Sequence, residues 1–255
     1  MPAHDRPPPA PPASPALVTL HVWTVPTVGI APAIARLAVD RFRLRGYPGL
    51  TFAKLLGTGS GQTFAPQDAD PHHWALLTCW DSPHAAATLE RSRVIRRWDA
   101  AATERLRLTM TPISSTGRWS KRQPFGSAKP PSPGSADPAT DPPIASITRA
   151  RIRPRQLPAF WRAVPDVVAD LPQTDGLLWS KGIGEAPIGL QGTFSVWRNT
   201  EALQRFAHQS AGHREAIKRT RDTQWFSEEL FARFTVDAVD GTIDGAPLPV
   251  PPWPS

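Results

Sequence analysis

The stretch Gly49-Leu-Thr-Phe-Ala-Lys-Leu-Leu-Gly57 decides the fold, because it is met again as Gly176-Leu-Leu-Trp-Ser-Lys-Gly-Ile-Gly184, with Gly, Leu, an aromatic, Lys and Gly in register. Agreement continues outward: Thr78-Cys-Trp80 matches Ser195-Val-Trp197, and Val94-Ile-Arg-Arg97 matches Ala216-Ile-Lys-Arg219. This is an internal repeat. Between the copies, residues 123–143 are rich in Pro, Ser and Gly, cannot bury enough apolar surface to order themselves, and read as a linker. The chain therefore divides into a Pro-rich lead-in at 1–16, a first half at 17–122, the linker, a second half at 144–245 and a tail at 246–255.

Each half opens with a β-rich run, residues 17–24 and 144–153, followed by a helical stretch, 30–44 and 157–170. Second strands at 50–56 and 177–183 come next, then a loop and third strands at 74–80 and 192–197. A long helical region and a last strand, 107–112 and 232–236, complete each half. The order β-α-β-β-α-β, twice, is the ferredoxin-like arrangement. The expected class is α+β: tandem ferredoxin-like repeats forming a pseudo-symmetric dimeric α+β barrel, with a cavity between sheet and helices.

Composition narrows the function. With 255 residues, 40% hydrophobic and 20% charged, the chain can build a sizeable core, which excludes a disordered protein. There are 29 Lys plus Arg against 22 Asp plus Glu, a net +7 that suits an anionic partner or surface, but aromatic interleaving and nucleic-acid motifs are absent and no nucleic acid is expected. The single cysteine, Cys79, excludes an internal disulfide framework and any multi-cysteine metal site, so a reducing cytoplasm is the expected compartment. Residues 1–16 lack a charged start followed by an apolar run and read as neither signal peptide nor anchor. No uninterrupted apolar run reaches the roughly 18 residues of a spanning helix, so membrane contact is expected to be peripheral at most.

Function is sought where the copies differ. Ten additional residues separate Gly57 from Trp80 relative to Gly184 and Trp197, and this segment includes Gly57-Thr-Gly-Ser-Gly61. No Lys-Ser/Thr follows, so neither a P-loop nor a dinucleotide fingerprint is met; a flexible loop and a pocket lid both fit. The second difference is Gly212-His213-Arg214-Glu215, which falls where the first half has Arg91. His213 shares a helix face with Ile217 and Thr220, and a neutral imidazole projecting into an apolar cavity suits an axial iron ligand; a surface or helix-start histidine is the competing reading.

Other residues have plainer readings. His21 shares a strand face with Trp23 and Thr19, His72 and His73 fall in the longer loop, and His84 begins a helix after Pro83. Cys79, inside a strand, reads as an inert core thiol, and no G-x-S-x-G elbow occurs. Arg149, Arg151, Arg153 and Arg155 alternate and share one face if their strand persists, a row suited to carboxylates. Duplicated positions such as Trp80/Trp197 and Lys54/Lys181 read as packing.

Taken together, Lys54-Leu-Leu-Gly-Thr-Gly-Ser-Gly61, Ser114-Ser-Thr-Gly-Arg-Trp119, Ile147-Thr-Arg-Ala-Arg-Ile-Arg-Pro154, Phe160-Trp161, Lys181-Gly-Ile-Gly-Glu185, Thr193-Phe-Ser-Val-Trp197, His213-Arg-Glu-Ala-Ile217 and Trp225-Phe-Ser-Glu-Glu-Leu230 resemble the spheroidene monooxygenase family, over residues 17–241. The resemblance implies a haem-dependent oxygenase that inserts oxygen from dioxygen at a terminal methylene of an acyclic carotenoid, with electrons from a ferredoxin-type partner. Under it, His213 is the axial ligand of the iron of heme b, Arg118, Arg149 and Arg151 pair with the propionates, and Trp23, Trp179 and Phe194 wall the haem cavity. Distal acid or base work falls to His21 or Glu185. The residues by themselves leave other classes open: a haem enzyme of natural-product biosynthesis acting on a smaller nitrogen- or carbon-centred substrate, a haem- or ligand-binding module without turnover, and an RNA-associated basic protein.

Overall fold

The computed structural model describes residues 14–60, 68–126, 141–156, 174–185, 190–209 and 226–250. Its strands are β1 (Leu17–Thr24), β2 (Leu50–Gly59), β3 (Ala69–Trp80), β4 (Glu104–Gly117), β5 (Ile144–Ile152), β6 (Leu177–Gly184), β7 (Leu190–Trp197) and β8 (Phe226–Gly241). Its helices, among the described residues, are α1 (Ile30–Arg43), α2 (Pro83–Glu90), α3 (Arg93–Asp99) and α4 (Thr200–Gln209). The strands close into one barrel in the order β1-β3-β2-β6-β7-β5-β8-β4, antiparallel at each neighbouring pair. The fold is thus mixed α+β, a large antiparallel sheet with few helices. The helix expected at 157–170 and the proposed ligand His213 lie outside the described residues.

Around the ring, one four-strand run reads β4-β1-β3-β2 and the other β8-β5-β7-β6, and they meet at two seams. At one, β2 pairs with β6 and Gly57 stands opposite Gly184. At the other, β4 pairs with β8 and Thr111 stands opposite Thr235. Forming the β4–β8 seam needs long strands, which is why both overrun the short segments that apolar alternation marked.

Alternation along each strand sorts side chains to two sides of the barrel wall. Inward are Val18, Leu20 and Val22 of β1, Leu77 and Cys79 of β3, Ile147 of β5, Phe194 and Val196 of β7 and Phe234 of β8, in a continuous core. Outward from the first half are Trp23, Leu76 and Trp80, covered by Ala33, Leu89, Ile95 and Trp98 of α1–α3. Outward from the second half, Ile144 and Trp197 pack on Ala202 and Leu203 of α4.

The repeated glycines have a steric cause. Gly49 and Gly176 have φ of +73° and +84°, and a Cβ there would fall 2.3 Å from Ala85 Cβ and 2.5 Å from Ala202 Cβ, respectively. A left-handed turn pressed against a helix admits only glycine. The helices start where short polar side chains cap them: Ser82, Ser92 and Asn199 accept from the N–H groups of Ala85, Ile95 and Ala202.

Three expectations are corrected. His72 and His73 belong to β3 and not to a loop, because the strand continues past its apolar stretch to pair with β2 as far as Gly59. The long helical region after Trp80 is two helices, broken at Arg91-Ser92, where Ser92 caps anew. The arginine row is interrupted: β5 stops at Ile152, and Pro154, which has no N–H to donate to a ladder, begins a short 3-10 turn.

Candidate functional site

The outward face of the first half is filled by side chains. His21 is fully buried, its ring stacked on Trp23 at 5.2 Å with 10° between planes, and Trp23 stacks on Trp98 at 5.2 Å. Polar edges of the stack are anchored: Trp23 Nε1 donates to Asp99 (2.7 Å), Trp98 Nε1 to buried Asp40 (3.1 Å), and His21 Nε2 lies 2.8 Å from Glu90 Oε1. Burial pushes the His21 imidazole below its ordinary value, outweighing the opposite pull of Glu90. A neutral ring donates its one proton through Nε2 to Glu90, leaving Nδ1 bare among apolar atoms. Burial alone would raise Glu90, but the hydrogen bond from His21 and the charges of Arg107 and Arg105 hold its carboxyl down at about 2. His21 is therefore a buried member of a packed wall, anchored through Nε2, while its Nδ1 meets no partner among the described residues.

Register shows what stands at the same places in the second half. Opposite-strand pairs on this face are His21–Leu76 in β1–β3 and Thr148–Thr193 in β5–β7, while Leu55 beside Leu76 answers to Gly182 beside Thr193. Trp23 answers to Ala150, and Ala53 to Ser180. An imidazole, an indole and two isobutyl groups thus give way to hydroxyls, a methyl and a hydrogen. At the base of both faces the same device recurs: Trp80 Nε1 donates to Thr78, whose hydroxyl meets Thr19 at 2.6 Å, and Trp197 Nε1 donates to Ser195, whose hydroxyl meets Ser146 at 2.8 Å. The second-half face is accordingly a shallow, small-residue floor backed by a dry core of Ile147, Phe194 and Val196. The first-half face has the corresponding space taken by the ring stack.

A third arrangement lies inside the barrel. Arg149, nearly fully buried, donates from Nη1 to Glu228 Oε2 (2.7 Å) and from Nη2 to Glu185 Oε1 (3.2 Å), with its guanidinium 5.2 Å from the Trp119 ring. Glu185 also accepts from Lys54 Nζ and Trp119 Nε1, and Lys54 donates to Ser120 Oγ at 2.6 Å. Burial would raise the Glu228 carboxyl, but the N–H groups of Lys121 and Ser120 and the Arg149 guanidinium hold it below its usual range. At the equivalent of Lys54, Lys181 donates to Asp70 at 3.2 Å, and Asp70 also accepts from His73 at 2.6 Å, a bond that keeps its carboxyl well below the usual value.

These placements redistribute the residues singled out from sequence. His21 and Glu185 do not share a site: the first faces the helices of the first half, and both oxygens of the second are held by Lys54, Arg149 and Trp119. Arg149 pairs with two carboxylates inside the barrel, while Arg118 and Arg151 are exposed. Trp179 and Phe194 meet edge to face at 6.0 Å against the barrel core, and Trp23 belongs to the ring stack, so none of the three lines the open face. Cys79 is fully buried and its thiol is pushed up by burial, as an inert core residue requires. The pairings of Trp119, Glu228 and Glu90 are not legible in the sequence because their partners come from distant segments, and Asp70 meets His73 three positions on, which the alternation of an ideal strand places on the opposite face.

The barrel is shared with solved enzymes. Aldoxime dehydratase superposes with a TM-score of 0.55 at 12% identity, covering 86% of this chain and 80% of that one. A second aldoxime dehydratase, in complex with butyraldoxime, gives 0.52 at 12% identity. These set the class, an α+β barrel closed within one chain. No family model matches the chain. Its sequence is 33% identical over 210 residues to the spheroidene monooxygenase of Rhodobacter capsulatus, covering 82% of this chain and 85% of that protein. It is 32% identical over 224 residues to that of Rubrivivax gelatinosus (86% and 83%) and 31% over 215 residues to that of Cereibacter sphaeroides (83% and 64%). The chain belongs to the spheroidene monooxygenase family and is an oxygenase.

Proposed function

We propose that the protein is a haem-dependent monooxygenase that oxygenates an acyclic carotenoid, and that the outward face of β5–β7 would hold the haem, with His213 supplying a nitrogen to its iron. The observation that carries this is the exchange of His21, Leu76, Leu55 and Trp23 for Thr148, Thr193, Gly182 and Ala150 at matching register positions. Close-packed interiors do not tolerate so large a loss of volume unless something else occupies it. Haem, when bound, supplies the activation of dioxygen, with electrons delivered by a ferredoxin-type donor. The chain's own part is to present a smooth floor, to keep water from the buried side through Ile147, Phe194 and Val196, and to hold the floor's strands in register through the Ser146–Ser195–Trp197 hydroxyl relay.

The same comparison supports reading the two four-strand runs as copies of one ferredoxin-like unit, one specialised for packing and one for the ligand. Family membership supports a hydrophobic substrate, since the relatives are named for spheroidene. Such a substrate is met at a bilayer, so peripheral membrane contact belongs to this reading. The test is the ultraviolet-visible spectrum of protein purified from haem-replete cells, for the wild type, His213→Ala and Ala150→Trp. A Soret band lost in both variants is the expected result, since the indole restores the volume that Trp23 fills in the first half. A colourless wild type that takes up no added haemin defeats the proposal, and an unaltered band in Ala150→Trp removes the site from this face.

A further inference from the structure

Helix α1 is turned the wrong way round for a helix bounded only by water. It buries Ala33 and Asp40, and its exposed residues include Ile34, Ala35, Ala38, Val39 and Phe42. Apart from Arg41 and Arg43, every exposed residue of the helix is apolar. At about 100° per residue, Ile34, Ala35, Ala38, Val39 and Phe42 span one broad arc, where a surface helix normally carries its polar side. Of the five large apolar side chains that are exposed among the described residues, four stand here: Val28 (86%), Ile34 (55%), Val39 (45%) and Phe42 (52%).

Charge defines what covers this arc. Arg41 and Arg45 flank Phe42, each guanidinium 4.7 Å from its ring. Among the described residues neither is paired with a carboxylate. The helix's one acid, Asp40, is buried and accepts from Trp98 and Arg43. Beside the arc, a groove of about 730 Å³ runs between α1 and β2, lined by Leu37, Leu44, Leu50 and Phe52 and by Arg41 and Arg45. An apolar arc edged by unpaired arginines, with no exposed acid, is complementary to a bilayer with anionic headgroups: the aromatic and branched side chains enter the acyl boundary and the guanidinium groups stay with the phosphates.

We infer that α1, with Val28 ahead of it, is the surface by which this protein docks on anionic lipid bilayers. The inference deepens the reading of a substrate met at a membrane but is carried by the exposed arc alone, so lipid binding and oxygenation fail separately. The test is cosedimentation of the full chain with vesicles of phosphatidylcholine alone and of phosphatidylcholine mixed with phosphatidylglycerol, at low and high salt. The wild type is expected to sediment with the mixed vesicles and to be released by salt. Replacing two cations in Arg41→Gln/Arg45→Gln lowers partitioning about thirtyfold, from roughly a five- to sixfold factor per arginine at an anionic surface. Ile34→Ser/Phe42→Ser lowers it at least about tenfold by removing apolar burial. All four side chains are exposed, so unchanged thermal melting shows that the variants fold. Wild type remaining in the supernatant, variants sedimenting like wild type, or equal binding to neutral vesicles overturns the inference. So does a dimer in sedimentation equilibrium that Ile34→Ser/Phe42→Ser converts to monomer, because the arc then joins two copies of the chain.

Discussion

Glu185→Gln isolates what the polar cluster inside the barrel contributes. The substitution keeps the side chain's shape but removes the charge that Lys54 and Arg149 share, although the two cations come from different halves. Removing one partner of a fully buried pair costs about 3–5 kcal/mol, because the other charge stays desolvated. Here Arg149 keeps Glu228 at 2.7 Å, Lys54 keeps Ser120, and the Lys54 and Glu185 side chains are 18% and 15% exposed, so the figure falls to about 2–3 kcal/mol. For 255 residues the unfolding entropy is roughly 0.5 kcal/mol per degree, which turns this into a Tm lowered by about 5 °C. Differential scanning calorimetry reads it directly. Adding Lys54→Met removes the stranded ammonium and recovers half or more of the loss. A Glu185→Gln protein within about 0.5 kcal/mol of wild type, or a double variant less stable than the single, refutes the account of Glu185 as the tie between β2, β5 and β6.

Other outcomes follow from the same structure. Gly49→Ala and Gly176→Ala each place a Cβ within 2.3 Å and 2.5 Å of a helix alanine at positive φ, so each is expected to lose more than about 2 kcal/mol in urea unfolding; a loss below about 1 kcal/mol at either contradicts the steric reading. Thr78→Val and Ser195→Ala remove the acceptors of Trp80 and Trp197, leaving buried indole N–H groups with a cost of about 1–3 kcal/mol apiece, and values differing by more than about 1 kcal/mol argue against equivalent roles. Since burial lowers His21 from 6.5 in the folded chain, the unfolded chain binds the extra proton; the stability this gives is complete above pH 6.5 and is lost as pH falls below it. Glu90, held at about 2 against 4.5, contributes stability that is present above pH 4.5 and is lost as pH falls from there towards 2. His21→Gln should flatten Tm against pH just below 6.5, and a slope equal to that of wild type sinks the assignment.

The strands were legible because the core is built from residues that alternate. β1 runs from Leu17 to Thr24 as its pattern of small, branched and aromatic residues indicates, and the glycine-to-glycine stretches at 49–57 and 176–184 do hold the second strand of each run. What periodicity could not show is how far a strand extends once a partner is available. Ala69 to His73 carry Asp, Pro and two histidines, yet they belong to the strand, because Ala69 and Asp70 pair with Gly59 and Thr58 of β2 and His73 with Thr24 of β1. The polar cluster was out of reach for the same reason. Lys54 meets a carboxylate 131 positions away and Lys181 one 111 positions away, so two lysines that read from the sequence as packing positions acquire charged partners that only barrel closure brings near.

Two contrasts between the halves bear on the site. Comparing the halves for residues gained pointed to His213, whereas comparing them for volume lost points to Thr148, Ala150 and Gly182, at matching register positions, as the floor. Volume is the more demanding comparison, because a histidine can be added to a surface at little cost but a missing indole and imidazole forfeit the contacts of every atom that faced them. Over the first half those contacts are made by Trp23, His21 and Trp98 stacked in series. Over the second, either covering chain or a flat ligand must make them, and the two alternatives respond oppositely to Ala150→Trp. If chain covers the floor, the indole overpacks it and stability falls whether or not haem is supplied. If a macrocycle covers it, the haem-free protein gains stability from the added ring while the Soret band disappears.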